Sequence, residues 1–176
     1  MVPRVGFLGA MLCALALLCA GSASAAGGLG AGERPTIDRS PYLWATINVC
    51  DTAEHPDTVG VRASMPGSGR RREQMYMRFR VEFQSPIGNL WQDVGPTGDS
   101  GFHPVGSGRF RAREAGWNFR FGAAAGGTYT VRGRVTFEWR RGAALVRRLV
   151  RRTRSGFPGT LGADPPEHSA AACEIR

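Results

Sequence analysis

Two segments of this chain alternate apolar and polar residues with a period of two, and that pattern most tightly limits what it can fold into. From Gln74 to Phe83, Met75, Met77, Phe79, Val81 and Phe83 share one parity, while Gln74, Tyr76, Arg78, Arg80 and Glu82 share the other. From Tyr129 to Trp139, Tyr129, Val131, Val135, Phe137 and Trp139 alternate with Thr130, Arg132, Arg134, Thr136 and Glu138. Side chains of a strand point to opposite faces in turn, so each segment makes a strand with one dry and one wet face. A helical period of 3.6 would gather neither set onto one stripe. Gly133 interrupts the second dry face, which predicts a bulge or a large neighbour filling the space.

Weaker signals fill in the rest. Tyr42 to Val49, Val59 to Ala63 and Trp117 to Phe121 are β-prone, and Asn89 to Gln92 and Arg109 to Ala112 are shorter candidates. Ala144 to Thr153 fits a helical stripe or a strand. The strand is favoured because Arg140-Arg141-Gly142 reads as a hairpin turn beside an established sheet partner. Gly122 to Thr128, containing Gly126-Gly127, predicts a second hairpin joining the strand at 117–121 to the one at 129–139. Trp91, Trp117 and Trp139 are expected in the core. The 25 glycines and 11 prolines favour short elements, and neither a twelve-residue helix nor βαβ spacing is visible. The fold class is all-β, a single antiparallel β-sandwich, with a small β-barrel as the alternative.

The aromatic pair of segments Gly-Trp-Asn-Phe-Arg-Phe (116–121) and Thr-Tyr-Thr-Val-Arg-Gly-Arg-Val-Thr-Phe-Glu-Trp (128–139) resembles an immunoglobulin-like β-sandwich. The resemblance implies architecture alone. Cys50 and Cys173 are too far apart for the Cys…Trp…Cys spacing of antibody-type domains, and Val131 stands where a cysteine would accompany a tyrosine corner at Tyr129. From Tyr42 to Ile175 the chain also resembles small secreted proteins of high-GC, arginine-rich bacteria, which implies no biochemical role.

The amino end has the marks of an export signal. Arg4 supplies a short basic region, Phe7 to Ala20 is an uncharged apolar run, and Ala23 and Ala25 suit cleavage after Ala25. The expected organisation is a signal peptide over 1–25, a flexible segment over 26–41 and one β-domain over 42–176. The mature chain is then secreted or extracytoplasmic and carries no transmembrane anchor, since the apolar run is shorter than the roughly 20 residues that span a bilayer. Leu12 and Leu18 precede Cys13 and Cys19, too bulky for lipoprotein processing. Cys50 and Cys173 remain in the mature chain, an even pair in an oxidising compartment, and are expected to form a disulfide.

Chemistry is sparsely written. Asp99, Ser100 and His103 form a triad-like set in composition, but no Gly-x-Ser-x-Gly elbow surrounds the serine. His55, His103 and His168 show no chelating spacing with the cysteines, so no metal and no cofactor are expected. The conspicuous feature is that all 23 basic residues are arginine, against 14 acidic ones, for a net charge of +9. Arg132, Arg134, Arg148 and Arg152 should meet across one hairpin and are the candidate anion-binding residues. Their partner would be an anionic polymer or a cell-envelope surface: acidic polysaccharide, nucleic acid or anionic lipid. The aromatics fall mainly on the dry parity, away from the arginines, which disfavours base stacking. The resulting reading is a secreted, disulfide-closed, non-catalytic structural or binding module. A polyanion-binding domain and a secreted hydrolase are the alternatives.

Overall fold

The computed structural model describes residues 36–122 and 127–176. The expected export signal over 1–25 and all but the end of the segment 26–41 lie outside the described residues. Among the described residues nine strands form in chain order: β1 (Trp44–Cys50), β2 (Thr58–Pro66), β3 (Gln74–Gln84), β4 (Trp91–Asp93), β5 (Asp99–Ser107), β6 (Ala112–Arg120), β7 (Tyr129–Arg141), β8 (Ala144–Arg152) and β9 (Cys173–Ile175). Two short 3-10 turns, Ile37–Arg39 and Pro96–Gly98, complete the regular structure of the described residues.

The strands make two antiparallel sheets. The small sheet has the order β1-β2-β6. The large one runs β4-β3-β7-β8, with β5 also on β3 and β9 also on β7. The larger sheet curls into an open half-barrel, so the architecture is closer to a small β-barrel than to a closed immunoglobulin sandwich. No helix among the described residues is long and apolar enough to cross a membrane.

The core lies where the dry faces meet. Met75, Met77, Phe79 and Val81 of β3 pack with Val131, Val135, Phe137 and Trp139 of β7, and all are buried, as the alternation requires. Ile47, Val59, Val61 and Met65 of the small sheet close over them. The indole N–H of Trp139 donates to the Pro66 carbonyl at 3.1 Å, so its polar atom is satisfied inside the core. Gly133 is explained by a neighbour. A Cβ there would lie 2.6 Å from Thr153 Cγ2 and 2.9 Å from the Val61 methyls, while the β3–β7 register runs past it unbroken.

Four expectations need correction. The segments at 117–121 and 129–139 do not form a hairpin: β6 pairs with β2 in the small sheet, whereas β3 lies along one edge of β7 and β8 and β9 share the other. A dry parity marks the core-facing side and does not say which sheet a strand joins. Trp117, expected in the core, is 41% exposed; it lies on the edge strand β6 and stacks on His103 of β5 at 4.5 Å. Trp91 is only half-buried and lies under the Arg132 guanidinium on the outer face. Tyr129, on the dry parity, is 47% exposed at the start of β7.

The Cys50–Cys173 disulfide forms, with Cα atoms 5.5 Å apart. It ties the end of β1 in the small sheet to β9 in the large one. The outer edge of β1 is covered by the same carboxyl-terminal region: Ile47 and Ala170 exchange backbone hydrogen bonds, and the Asp164 N–H donates to the Asn48 carbonyl.

Candidate anion-binding surfaces

The wet face of the large sheet holds all four arginines singled out from the sequence. In the β3–β7–β8 register, Arg80 lies opposite Arg134, and Arg134 opposite Arg152. Like charges directly opposed across a sheet are destabilising, so this row needs counter-charges. Asp99 contacts Arg80 at 3.0 Å, Asp93 lies 3.7 Å from Arg80 and 2.7 Å from Arg134, and Glu82 lies 3.0 Å from Arg134 and 3.5 Å from Arg152. Glu82 also accepts from Arg132 Nε at 2.7 Å. Further along, Glu138 stands opposite Arg148 and accepts from both Arg148 and Arg140 at 2.6 Å.

The face is therefore a ladder of alternating charge. Seven arginines (78, 80, 132, 134, 140, 148 and 152) share Glu82, Asp93, Asp99 and Glu138. Glu82 and Glu138 are buried, and the arginines cover them. Aromatic rings add a second layer, with Arg132 over Trp91 at 4.0 Å and Arg140 over Tyr76 at 4.4 Å. The hydrogen bond from Arg78, with help from the Gly101 N–H and Arg80, holds the Asp99 carboxyl well below the usual carboxylate range despite its partial burial. Arg132 and Arg134 are mostly covered, whereas Arg148 and Arg152 are more than half exposed.

The triad-like set does not assemble. Asp99 is held by Arg78 and Arg80. The Ser100 hydroxyl accepts from the Phe79 N–H and donates to the Gly101 carbonyl. His103 Nε2 lies 2.7 Å from the Ser100 carbonyl, not its hydroxyl. Among the described residues no three His, Cys, Asp or Glu side chains gather as a metal site. An apolar cleft of about 260 Å³ between Phe83, Phe121, Tyr129 and Ile175 contains no charged group.

A second basic surface lies at one end of the molecule, built by the β2–β3 loop (67–73) and the β5–β6 turn (108–111). The Gly69 N–H donates to the Gly108 carbonyl, Gly108 N–H to the Glu73 carbonyl and Gly67 N–H to the Arg111 carbonyl. Gly67 is obligatory: a Cβ there would lie 1.7 Å from the Phe110 carbonyl oxygen. Glu73 is the buried keystone, and its carboxylate takes hydrogen bonds from Arg70 and from Arg141 at the end of β7. Burial raises the Glu73 carboxyl, but hydrogen bonds from Ser68, Arg70 and Arg141 outweigh it and hold it below its ordinary value.

Around this keystone Arg71, Arg72, Arg109, Arg111 and Arg113 are exposed, and among the described residues none has a carboxylate within ion-pair distance. Arg113 lies over the Phe110 ring at 3.7 Å and Arg109 at 4.8 Å, while Arg111 lies over Tyr42 at 4.7 Å. Sequence reasoning singled out the arginines of the β7–β8 hairpin and not this junction of 70–72 with 109–113. The alternation Arg109-Phe110-Arg111-Ala112-Arg113 was the available signal. Compared with known proteins, the chain matches no family model, no curated protein and no solved structure. Of the expected immunoglobulin-like sandwich, what stands is an all-β fold of two packed antiparallel sheets, with no family link.

Proposed function

We propose that this protein is an exported, non-catalytic module that binds anionic polymers. One observation carries the proposal: five exposed arginines gathered at the 67–73 and 108–113 end, none with a carboxylate partner among the described residues. Charge gathered in one place on a folded surface produces a local field that raises the concentration of polyanions and speeds their docking. Arg148 and Arg152 on β8 are exposed but paired with Glu138 and Glu82, and are secondary to that end. Arg132 and Arg134 support it from beneath by holding Glu82 and Asp93. Export is supported by the amino-terminal signal pattern and by the disulfide, which belongs to an oxidising compartment.

The test is salt elution from immobilised heparin. The double reversal Arg109→Glu/Arg111→Glu should elute at clearly lower salt than the unmodified protein, with an unchanged melting temperature. Reversing Arg132 and Arg134 would instead set new carboxylates against Glu82 and Asp93, and should lower the melting temperature. Equal elution of the loop variant and the unmodified protein would remove this surface from the function.

A further inference from the structure

Resting on that reading, we infer that the 67–73 and 108–113 end is specific for acidic polysaccharide, which it grips through guanidinium groups held in place on Phe110 and Tyr42. A free arginine side chain has several rotatable bonds and loses much freedom when it clamps an anion. Here that freedom is already restricted. Arg109 and Arg113 rest on one ring and Arg111 on another, and stacking on an aromatic face leaves the planar N–H edge free to bond outward. Such an edge matches the two oxygens of a sulfate or carboxylate. The loops beneath are fixed by the Gly67, Gly69 and Gly108 hydrogen bonds and by the Glu73 keystone, so the donors are arranged before any ligand arrives.

The same geometry argues against nucleic acid. Sequence-tolerant binding of single strands gains its affinity from bases stacked on free aromatic side chains. At this end the Phe110 ring is already occupied by two guanidiniums and Tyr42 by a third. The site reads oxyanions on a chain and offers little to a base.

The experiment uses the full chain and three immobilised probes: heparin for sulfate, polygalacturonate for carboxylate, and single-stranded oligothymidylate for nucleic acid. The unmodified protein should hold one or both polysaccharides to higher salt than the oligonucleotide. Arg109→Lys/Arg113→Lys keeps every charge but removes the stacked forks, and should weaken polysaccharide binding about tenfold, the cost expected for ordering two freed side chains on binding. Phe110→Leu keeps apolar bulk beneath the arginines and should cause a similar loss. Polysaccharide binding untouched by both variants, or tighter binding to the oligonucleotide, would overturn this inference while leaving polyanion binding intact. Failure to hold any probe would overturn both.

Discussion

Glu82→Gln tests the charge ladder most directly. The Glu82 side chain is 7% exposed, and its two oxygens serve Arg132 at 2.7 Å, Arg134 at 3.0 Å and Arg152 at 3.5 Å. Glutamine has almost the same shape and can still accept one hydrogen bond, but it removes the negative charge from between three guanidiniums. Arg80, Arg134 and Arg152 would then remain in one row with only Asp93 and Asp99 to separate them. Removing one member of a buried pair costs about 3–5 kcal/mol, because the remaining charge is left uncompensated. The retained hydrogen bond and the partial exposure of the arginines place Glu82→Gln near the lower end, about 3 kcal/mol. For a domain of this size that should lower the melting temperature by about 10 °C. The assay is thermal unfolding followed by circular dichroism, with Glu114→Gln as control. Glu114 is half-exposed and 3.9 Å from Arg62, so its loss should shift the midpoint by no more than about 2 °C. A Glu82→Gln midpoint indistinguishable from that of Glu114→Gln would show that the ladder is surface decoration and contributes no stability.

Three further outcomes are expected. Cys50→Ala/Cys173→Ala opens a loop with a sequence separation of 123, and should lose about 5 kcal/mol in urea titration on chain-entropy grounds. Because the folded Asp99 carboxyl is depressed, its stabilisation is fully present above the ordinary aspartate range and is lost as pH falls from there toward the folded value. Acid unfolding of Asp99→Asn followed by tryptophan fluorescence should therefore show a shallower loss of stability below about pH 4 than the unmodified protein. Gly133→Ala should cost about 1–3 kcal/mol in the same urea assay, since its Cβ would press on Thr153 and Val61 in a packed core.

Local signals and long-range pairing were unequally legible in the sequence. The parity of β3 and β7 identified the core-facing side from Met75 to Val81 and from Val131 to Trp139, because burial imposes a period that composition records directly. It failed at Tyr129, which is exposed, and at Glu82 and Glu138, which are buried on the other face. The β7–β8 turn was visible in Arg141-Gly142, and Gly142 adopts φ 57° in the hairpin. By contrast β5 was hidden. Gly101, Pro104 and Gly106 erase its alternation, and its pairing with β3 breaks register twice. The partner of β6 was also hidden, since an inward-facing Phe119 satisfies either sheet. For the candidate site, the shared face of Arg132, Arg134, Arg148 and Arg152 followed from the hairpin. Part of their neutralisation was legible too, since Glu82 and Glu138 share the wet parity of β3 and β7. The contact of Asp93 with Arg134 was not, because β4 is placed by tertiary pairing. The end surface depends likewise on two loops brought together by Glu73 and three glycines.

The stitch between Cys50 and Cys173 also sets an order of events. A chain is made from its amino end, so β1 and its thiol exist long before the strand that carries the other sulfur. Until the last segment is made Cys50 has no sulfur to pair with, and the residues around Ala170 that cover the outer edge of β1 are missing as well. One late stretch of chain thus supplies both the cover for the edge and the second sulfur, and a chain lacking residues 161–176 would have neither. The disappearance of the Cys50 thiol therefore marks, in one chemical signal, that the carboxyl-terminal strand has reached its place.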